Sequence, residues 1–271
     1  MADVESDTKA LVQRQFGANA AKYATSRSHA QGASLARLVE MAGPSPHWLA
    51  VDVATGAGHT ALAFAPHVAH VVATDLTAQM LHVARRLAGE RSVGNISFAI
   101  AQAERLPFAD QSLDFVSCRI APHHFVDVEQ FVSEVRRVLR PGGVFGLVDN
   151  VSPDSQILEG PEDALAVAAG EYNAFEKLRD PSHVRCLTLD EWLTLIAEAG
   201  LGIRDVELQD KPMVFVPWAD QMQATPAVKQ QLTDMVFTGT PAFQAFMRPE
   251  PRDGDFAFTL VEGLIVAQRP N

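Results

Sequence analysis

Cysteine is nearly absent. Cys118 and Cys186 are the only two in 271 residues, and they lie far apart and outside any metal-ligand spacing. A disulfide framework is disfavoured, and reduced thiols in a cytoplasmic setting are expected. Positive charge is also short, with 22 Lys and Arg against 33 Asp and Glu, a formal net charge of −11. No basic run interrupts that excess, which disfavours non-specific binding to nucleic acid or an anionic membrane. No apolar stretch approaches the roughly 20 residues of a membrane span. The opening Met1-Ala2-Asp3-Val4-Glu5 lacks the basic and apolar regions of a signal peptide. A P-loop, a nucleophile-elbow serine, a zinc-protease motif, internal repeats and low-complexity tracts are all missing. What remains is 47% hydrophobic and 20% charged, ample for the core of a soluble globular protein. The length suits one large α/β domain or a domain with substantial insertions.

The chain is organised around Leu49-Ala50-Val51-Asp52-Val53-Ala54-Thr55-Gly56-Ala57-Gly58-His59-Thr60-Ala61. An apolar run with one carboxylate leads into a small-residue loop and then a helical pattern. Gly56 and Gly58 carry no Cβ, so the backbone turns sharply there and a ligand can come close. Amides at the following helix start favour polar or anionic groups. A second strand ends in Asp75, placed to accept hydrogen bonds from ribose hydroxyls. This βαβ unit reads as a site for an adenosine-type cofactor. The glycine spacing by itself also fits a dinucleotide, which keeps an NAD(P)-dependent oxidoreductase open. Asp52 separates the two readings. A carboxylate within a buried strand is costly without a partner. The α-amino group of S-adenosylmethionine supplies one, whereas a pyrophosphate would be repelled. The alternative is that Asp52 only satisfies neighbouring backbone amides.

In chain order, helix is expected from about Thr8 to Met41, broken at Gly17 and Gly32. Strands follow at 48–54, 68–74, 96–100, 113–119 and 144–148. They alternate with helices from His59, from Thr77 as cap, and from Asp127, whose Asp-x-x-Gln pattern is a capping box. The apolar strands predict an α/β fold with a Rossmann-like doubly wound sheet, helices on both faces and an N-terminal helical cap. Ser152-Pro153 and Gly160-Pro161 each mark a possible helix start. Residues 161–178 read as helix and 179–185 as a polar loop. A capping box at Thr188 opens a helix that Gly200 ends. A strand from Ile203 to Leu208 follows. Thr225-Pro226 and Thr240-Pro241 suggest two short helices, and a long last strand runs from Phe256 to Ala267, with Gly263 a bend or bulge. A hairpin-like closure is expected at the sheet edge.

Several segments together resemble the class I S-adenosylmethionine-dependent methyltransferases, in particular the ubiquinone/menaquinone-biosynthesis type. They are residues 51–58, Ala103-Glu104-Arg105-Leu106-Pro107-Phe108, Ser112-Leu113-Asp114-Phe115-Val116, His123-His124-Phe125-x-Asp127, and Val138-Leu139-Arg140-Pro141-Gly142-Gly143. The segment Glu176-Lys177-Leu178-Arg179-Asp180-Pro181-Ser182-His183-Val184-Arg185 resembles an uncharacterised bacterial branch of that family. The N-terminal helical pattern gives a cap over 1–43, with simple packing on one sheet face as its alternative, and the changes of pattern give insertions at about 151–187 and 217–250 in a domain over 44–271, mostly parallel with an antiparallel last strand. The resemblance implies that this domain binds S-adenosyl-L-methionine as cofactor. Asp52, Ala54, Gly56 and Gly58 would lie along its methionine part, Asp75 at the ribose, and Leu76 and Met80 against the adenine. Where the family usually has Gly-Asp, this chain has Ala101-Gln102. A Gln amide can still accept from the adenine amino group and donate to a ring nitrogen. Gln102, Ala103 and Glu104 therefore join the cofactor set, with Arg119 at the methionine end.

Methyl transfer is an in-line displacement, so the protein must hold an acceptor on axis and, for a hydroxyl or an acidic carbon, remove a proton. His123 and His124 follow the fourth strand, and Asp149 ends the fifth. His123 is the expected base with Asp149 as its orienting partner, an arrangement that the resemblance to some sugar O-methyltransferases supports. The bland alternative has one histidine capping the next helix and the other packing beneath it. Two adjacent histidines rarely point at one ion, so no metal is expected. Tyr23, His124, His183 and Arg185 are substrate candidates, alongside Arg179 and Tyr172. Solvent exposure, ion pairing and core packing are their ordinary alternatives. The expected reaction is methylation of O, N or C on a small, partly apolar molecule. A non-catalytic cofactor-binding protein of the same fold stays open.

Overall fold

The computed structural model describes the backbone of residues 2–25 and 32–271, and the side chains of 7–17, 20 and 32–271. The chain forms two compact units. One comprises 1–149, 194–207 and 264–271; the other comprises 150–193 and 208–263.

The first unit alternates strand and helix as the pattern of short apolar runs requires. Its elements are α1 (Ala2–Thr25), α2 (Ala33–Ala42), β1 (Leu49–Val53), α3 (His59–Phe64), β2 (His70–Asp75), α4 (Ala78–Glu90), β3 (Ile96–Ile100), β4 (Leu113–Arg119), α5 (Val128–Val138) and β5 (Leu139–Asn150). Later come α6 (Glu162–Arg179), α7 (Leu189–Glu198), β6 (Gly202–Val214), α8 (Phe215–Gln221), α9 (Pro226–Thr238), α10 (Pro241–Met247), β7 (Glu250–Arg252) and β8 (Asp255–Gln268). The elements α7, β6 and β8 each run from one unit into the other, and the last residue of β5, Asn150, belongs to the second unit.

The strands lie in the order β3-β2-β1-β4-β5-β8-β6. Pairs β1–β2, β1–β4, β2–β3 and β4–β5 are parallel. The end of β8 runs antiparallel to the start of β5, where Gly142 and Arg269 exchange backbone bonds with Arg269 and Gly143. Strand order reverses between β1 and β4, so the loops leaving them diverge and open a crevice at their carboxyl ends. Phe115 anchors the core beneath that crevice. It packs against Phe64 with ring centroids 4.5 Å apart and against Trp48 at 5.6 Å, among Leu38, Val144 and Leu264.

Tertiary packing changed several local expectations. Helix α1 runs unbroken through Gly17, because packing along α4 offsets the roughly 1 kcal/mol that glycine costs a helix. Thr77 sits at the N-cap of α4 without a side-chain cap bond; its hydroxyl turns to Asp75 instead. Asp127 does cap α5, accepting from Gln130 N at 2.8 Å. No helix starts at Ser152-Pro153; there Ser152 forms a bridge with Thr188 and donates to the Cys186 carbonyl. Strand β5 begins at Leu139 rather than Val144, and β6 continues to Val214. Strand β8 passes through Gly263 as one strand. Strand β7 was not foreseen; it pairs antiparallel with β8 across a turn at Asp253-Gly254.

The second unit is built on an aromatic core. Phe175 stacks on Trp218 at 5.1 Å, and Phe243, Phe256 and Phe258 close around them. Thr225 and Thr240 cap α9 and α10, with proline at the first helical position of each.

Candidate active site

The loop after β1 enters the left-handed region three times within five residues, at Ala54 (φ +53°), Gly56 (+54°) and Gly58 (+85°). A Cβ on Gly58 would sit 2.9 Å from that of Ala84, so glycine lets the loop settle onto α4. Over Gly56 nothing lies within 4 Å, which leaves room for a ligand. Asp52 lies at the base of this loop with 1% exposure. Its Oδ2 accepts from Thr55 Oγ1 at 2.5 Å and Ala61 N at 3.1 Å, and its Oδ1 accepts from Ser117 Oγ at 2.7 Å. Burial pushes its carboxyl up to about 6, against these donors and the nearby Arg119 guanidinium, which hold it down.

Asp75, at the end of β2, ties the same loop down. It accepts from Gly56 N at 2.9 Å and Thr77 N at 2.8 Å. Burial raises its carboxyl above the ordinary value, and these amides partly offset the rise. A carboxylate has about four acceptor positions, so capacity for ribose hydroxyls remains. Beside it Leu76 is half-buried and Met80 fully buried.

The loop after β3 is held from two sides. Glu134 accepts from Leu106 N at 2.7 Å, and Arg137 bonds the carbonyls of Leu106 and Phe108. The bonds from Arg137 also hold the Glu134 carboxyl below its usual range. From the other side, α1 lies across the strand ends. Lys9 Nζ donates to Gln102 Oε1 at 3.1 Å and pairs with Glu104 at 3.3 Å, while Gln13 donates to the Leu76 carbonyl at 3.0 Å. Gln102 is exposed and Ala103 buried.

After β4, Arg119 is buried and its Nε bonds Thr60 Oγ1 at 3.1 Å. Ile120 has φ +53°, a strained value for a β-branched residue. Its amide still bonds the Val148 carbonyl, and the reversal directs the chain into the short 3₁₀ turn of 122–124. Asp149, at 1% exposure, grips that turn twice: Oδ2 accepts from His123 N at 2.9 Å, and Oδ1 meets His123 Nδ1 at 2.6 Å. A carboxylate only accepts, so Nδ1 carries a proton, and the tautomer that this contact selects is the one with its lone pair on Nε2. The His124 ring lies 4.3 Å from that of His123 and meets Phe16 of α1 edge-on at 4.9 Å. The N-cap of α5 is Asp127.

The fold thus brings Asp52, Ala54, Gly56, Gly58, Asp75, Leu76, Gln102, Glu104, Arg119, His123, His124 and Asp149 to the carboxyl ends of β1 to β5. His183 and Arg185 belong to the second unit. There His183 is buried, its Nε2 3.0 Å from Asn173 Oδ1, and Arg185 pairs with Glu191. The side chain of Tyr23 lies outside the described residues. Among the described residues no three His, Cys, Asp or Glu side chains are grouped to hold a metal ion. No helix among them is long and apolar enough to cross a membrane.

Sequence reasoning missed Thr55, Ser117 and Thr60, whose hydroxyls serve the buried charges, and Lys9 and Gln13, which tie α1 to the strand ends. Single serines and threonines carry no spacing signal. The partners of Lys9 lie more than 90 residues along the chain.

Residues 51–147 match the family model described as a methyltransferase domain. The chain is 36% identical over 217 residues to the uncharacterized methyltransferase YcgJ of Bacillus subtilis, covering 80% of this chain and 81% of the relative. The solved structure of that YcgJ protein superposes with a TM-score of 0.79, covering 88% of this chain and 98% of the other. The BH2331 protein of Bacillus halodurans C-125 superposes at 0.80 with 36% identity, covering 88% and 99%. At 17% identity and a TM-score of 0.58, a geranyl diphosphate C-methyltransferase of Streptomyces coelicolor A3(2) shares the fold alone, over 88% of this chain and 78% of its own. A glycine loop between two buried carboxylates, a parallel sheet closed by antiparallel strands, and relatives matched over most of their length lead to one assignment: this chain belongs to the class I methyltransferases.

Proposed function

We propose that the protein transfers a methyl group from S-adenosylmethionine to an oxygen, nitrogen or carbon of a small, partly apolar acceptor, with His123 as base. The observation that carries the reading is the grip of Asp149 on His123, through both the ring and the backbone amide. It fixes the tautomer and the orientation that a base requires. The cofactor assignment rests on Asp52. A buried carboxylate raised to about 6 lacks a strong counter-charge, and an ammonium group at the open space over Gly56 would supply one. Asp75 would take the ribose hydroxyls and Arg119 the methionine end. Leu76, Met80, Gln102 and Ala103 would surround the adenine, with residues 1–43 as the cap. The bound cofactor supplies an electrophilic methyl on a sulfonium. The protein's own part is to orient the acceptor, exclude water and receive a proton at His123 Nε2. The Streptomyces fold neighbour was solved with S-adenosylhomocysteine, and that compound is the natural probe of the site.

The test has two parts. Calorimetry is run with S-adenosylhomocysteine and, alongside, NADH. Methyl transfer to a panel of small acceptors is then followed by mass spectrometry in wild type, His123→Ala and Asp149→Asn. We expect binding of the first ligand only. Turnover should fall by about 10²–10⁴-fold in His123→Ala, as for loss of a general base, with cofactor affinity unchanged. Wild-type turnover in His123→Ala would remove the base assignment. Binding of NADH in place of S-adenosylhomocysteine would remove the cofactor assignment.

A further inference from the structure

Helix α1 reaches the edge of the sheet where the base of an adenosine cofactor would be read. The Ala101 amide bonds the Asp75 carbonyl at 3.1 Å, so the loop after β3 starts beside the residue assigned to the ribose. The Arg105 amide bonds the Gln102 carbonyl at 3.2 Å and closes a tight turn that begins at Gln102. An open cavity of about 570 Å³ lies along this end of the sheet, with Gln13, Leu76, Gln79 and Ile100 in its lining. Ile100 is 64% exposed, an apolar wall of the kind a flat ring packs on. Two side chains one turn apart on α1 hold this edge. Gln13 donates to the Leu76 carbonyl at 3.0 Å, and Lys9 Nζ sits between Gln102 Oε1 at 3.1 Å and Glu104 Oε2 at 3.3 Å. The Lys9 and Glu104 side chains are only 16% and 11% exposed, so salt screens the pair little and the ammonium stays in place.

A glutamine amide left to itself does not choose between purines. Its oxygen accepts and its NH₂ donates, and half a turn about the last bond exchanges them. One orientation matches adenine, taking a hydrogen from the 6-amino group and giving one to a ring nitrogen. The other matches hypoxanthine, which carries an acceptor oxygen in place of the 6-amino group. An ammonium ends that ambiguity. It has three donors and no acceptor, so only the amide oxygen can face it. The turned amide would set its NH₂ against the Lys9 charge. The oxygen has two lone pairs, one for Lys9 and one for the 6-amino group. Hypoxanthine would meet the held oxygen acceptor to acceptor. We propose that Lys9 is a positioning residue that locks the Gln102 amide in its adenine-reading orientation and so selects the base of the cofactor. The proposal rests on the adenosine cofactor assigned above and is independent of the role of His123.

The experiment is calorimetric titration of the full-length protein with S-adenosylhomocysteine and with S-inosylhomocysteine, its hypoxanthine counterpart. Wild type, Lys9→Met, Lys9→Arg and Gln102→Ala are compared by the ratio of the two affinities. Loosening of α1 lowers both affinities together and cancels in that ratio, so a merely structural role leaves it unmoved. A site that bonds a polar edge rejects an analogue whose edge does not complete the bonds. The expected wild-type ratio favours the adenine form by about tenfold or more. Lys9→Met should bring the ratio down by about tenfold, to the level of Gln102→Ala. Lys9→Arg should keep the wild-type ratio, because a guanidinium also only donates. A wild-type ratio in Lys9→Met or in Gln102→Ala would overturn the proposal, as would a ratio in Lys9→Arg as low as that in Lys9→Met. Binding of neither ligand to wild type removes the cofactor assignment and this inference with it; binding at a ratio that Lys9→Met leaves unchanged removes the role of Lys9 alone.

Discussion

If Asp52 binds an ammonium group, cofactor affinity must follow the ionisation of Asp52. In the free protein its carboxyl titrates near 6, because burial outweighs the bonds from Thr55, Ser117 and Ala61 and the charge of Arg119. The ionised form is the one a cation prefers, so binding shifts the equilibrium toward it and releases a proton at mildly acid pH. At about pH 8 nearly all Asp52 is ionised, and at about pH 5 roughly one molecule in ten is, so affinity should drop about tenfold, or ~1.4 kcal/mol, between them. S-adenosylhomocysteine is the right ligand, because it keeps the ammonium group and lacks the sulfonium charge. Calorimetry at both pH values, in two buffers of different ionisation enthalpy, reads the affinity and the proton release together. Asp75 is also raised and titrates on the same side. The quantity that isolates Asp52 is therefore the difference in slope between wild type and Asp52→Asn. An affinity flat with pH in wild type, or an equal slope in the variant, refutes the reasoning. The sign for stability follows from the same shift. A carboxyl raised above its unfolded value of 3.8 binds its proton more tightly when folded. The contribution of Asp52 to the unliganded protein's stability is therefore fully present below about pH 4 and falls by roughly 3 kcal/mol as pH rises through about 6.

Other perturbations read other parts of the structure. Lys9→Ala removes a mostly shielded ion pair with Glu104 and the bond to Gln102, so amide exchange across α1 should speed by about fivefold, the equivalent of ~1 kcal/mol; unchanged exchange means that α1 is held elsewhere. Ala54→Gly relieves a non-glycine residue at φ +53°, and calorimetric melting should rise by about 2–4 °C; a fall would show that the methyl group packs usefully. Cys118 and Cys186 are buried, and burial beside Asp52 pushes the Cys118 thiol well up. A thiol reagent at mildly alkaline pH should count none in the native protein and both after denaturation.

The alternation of short apolar runs with helical patterns was enough to predict the α/β class and the parallel core, because strand and helix periodicities are local. Asp52, Gly56, Gly58 and Asp75 were legible for a related reason. A carboxylate in a buried strand and a glycine where a turn must bend are conflicts with local rules, and such conflicts mark sites. The capping box at Asp127 is equally local, and it formed. Thr77 offered the same local promise, yet the nearer carboxylate of Asp75 took its hydroxyl. Gly17 promised a break, which packing along α4 removed. What only the tertiary structure decided depends on groups distant in the chain and on burial. Asp149 lies 26 residues from His123, and only parallel pairing of β4 with β5 brings its carboxylate to the ring. Lys9 meets Gln102 only because α1 crosses the strand ends. Ile120 adopts its strained backbone for a chain reversal that no spacing encodes. Asp52 is raised because burial strips water from its carboxyl, and desolvation belongs to the whole environment of an atom, which a linear pattern does not contain.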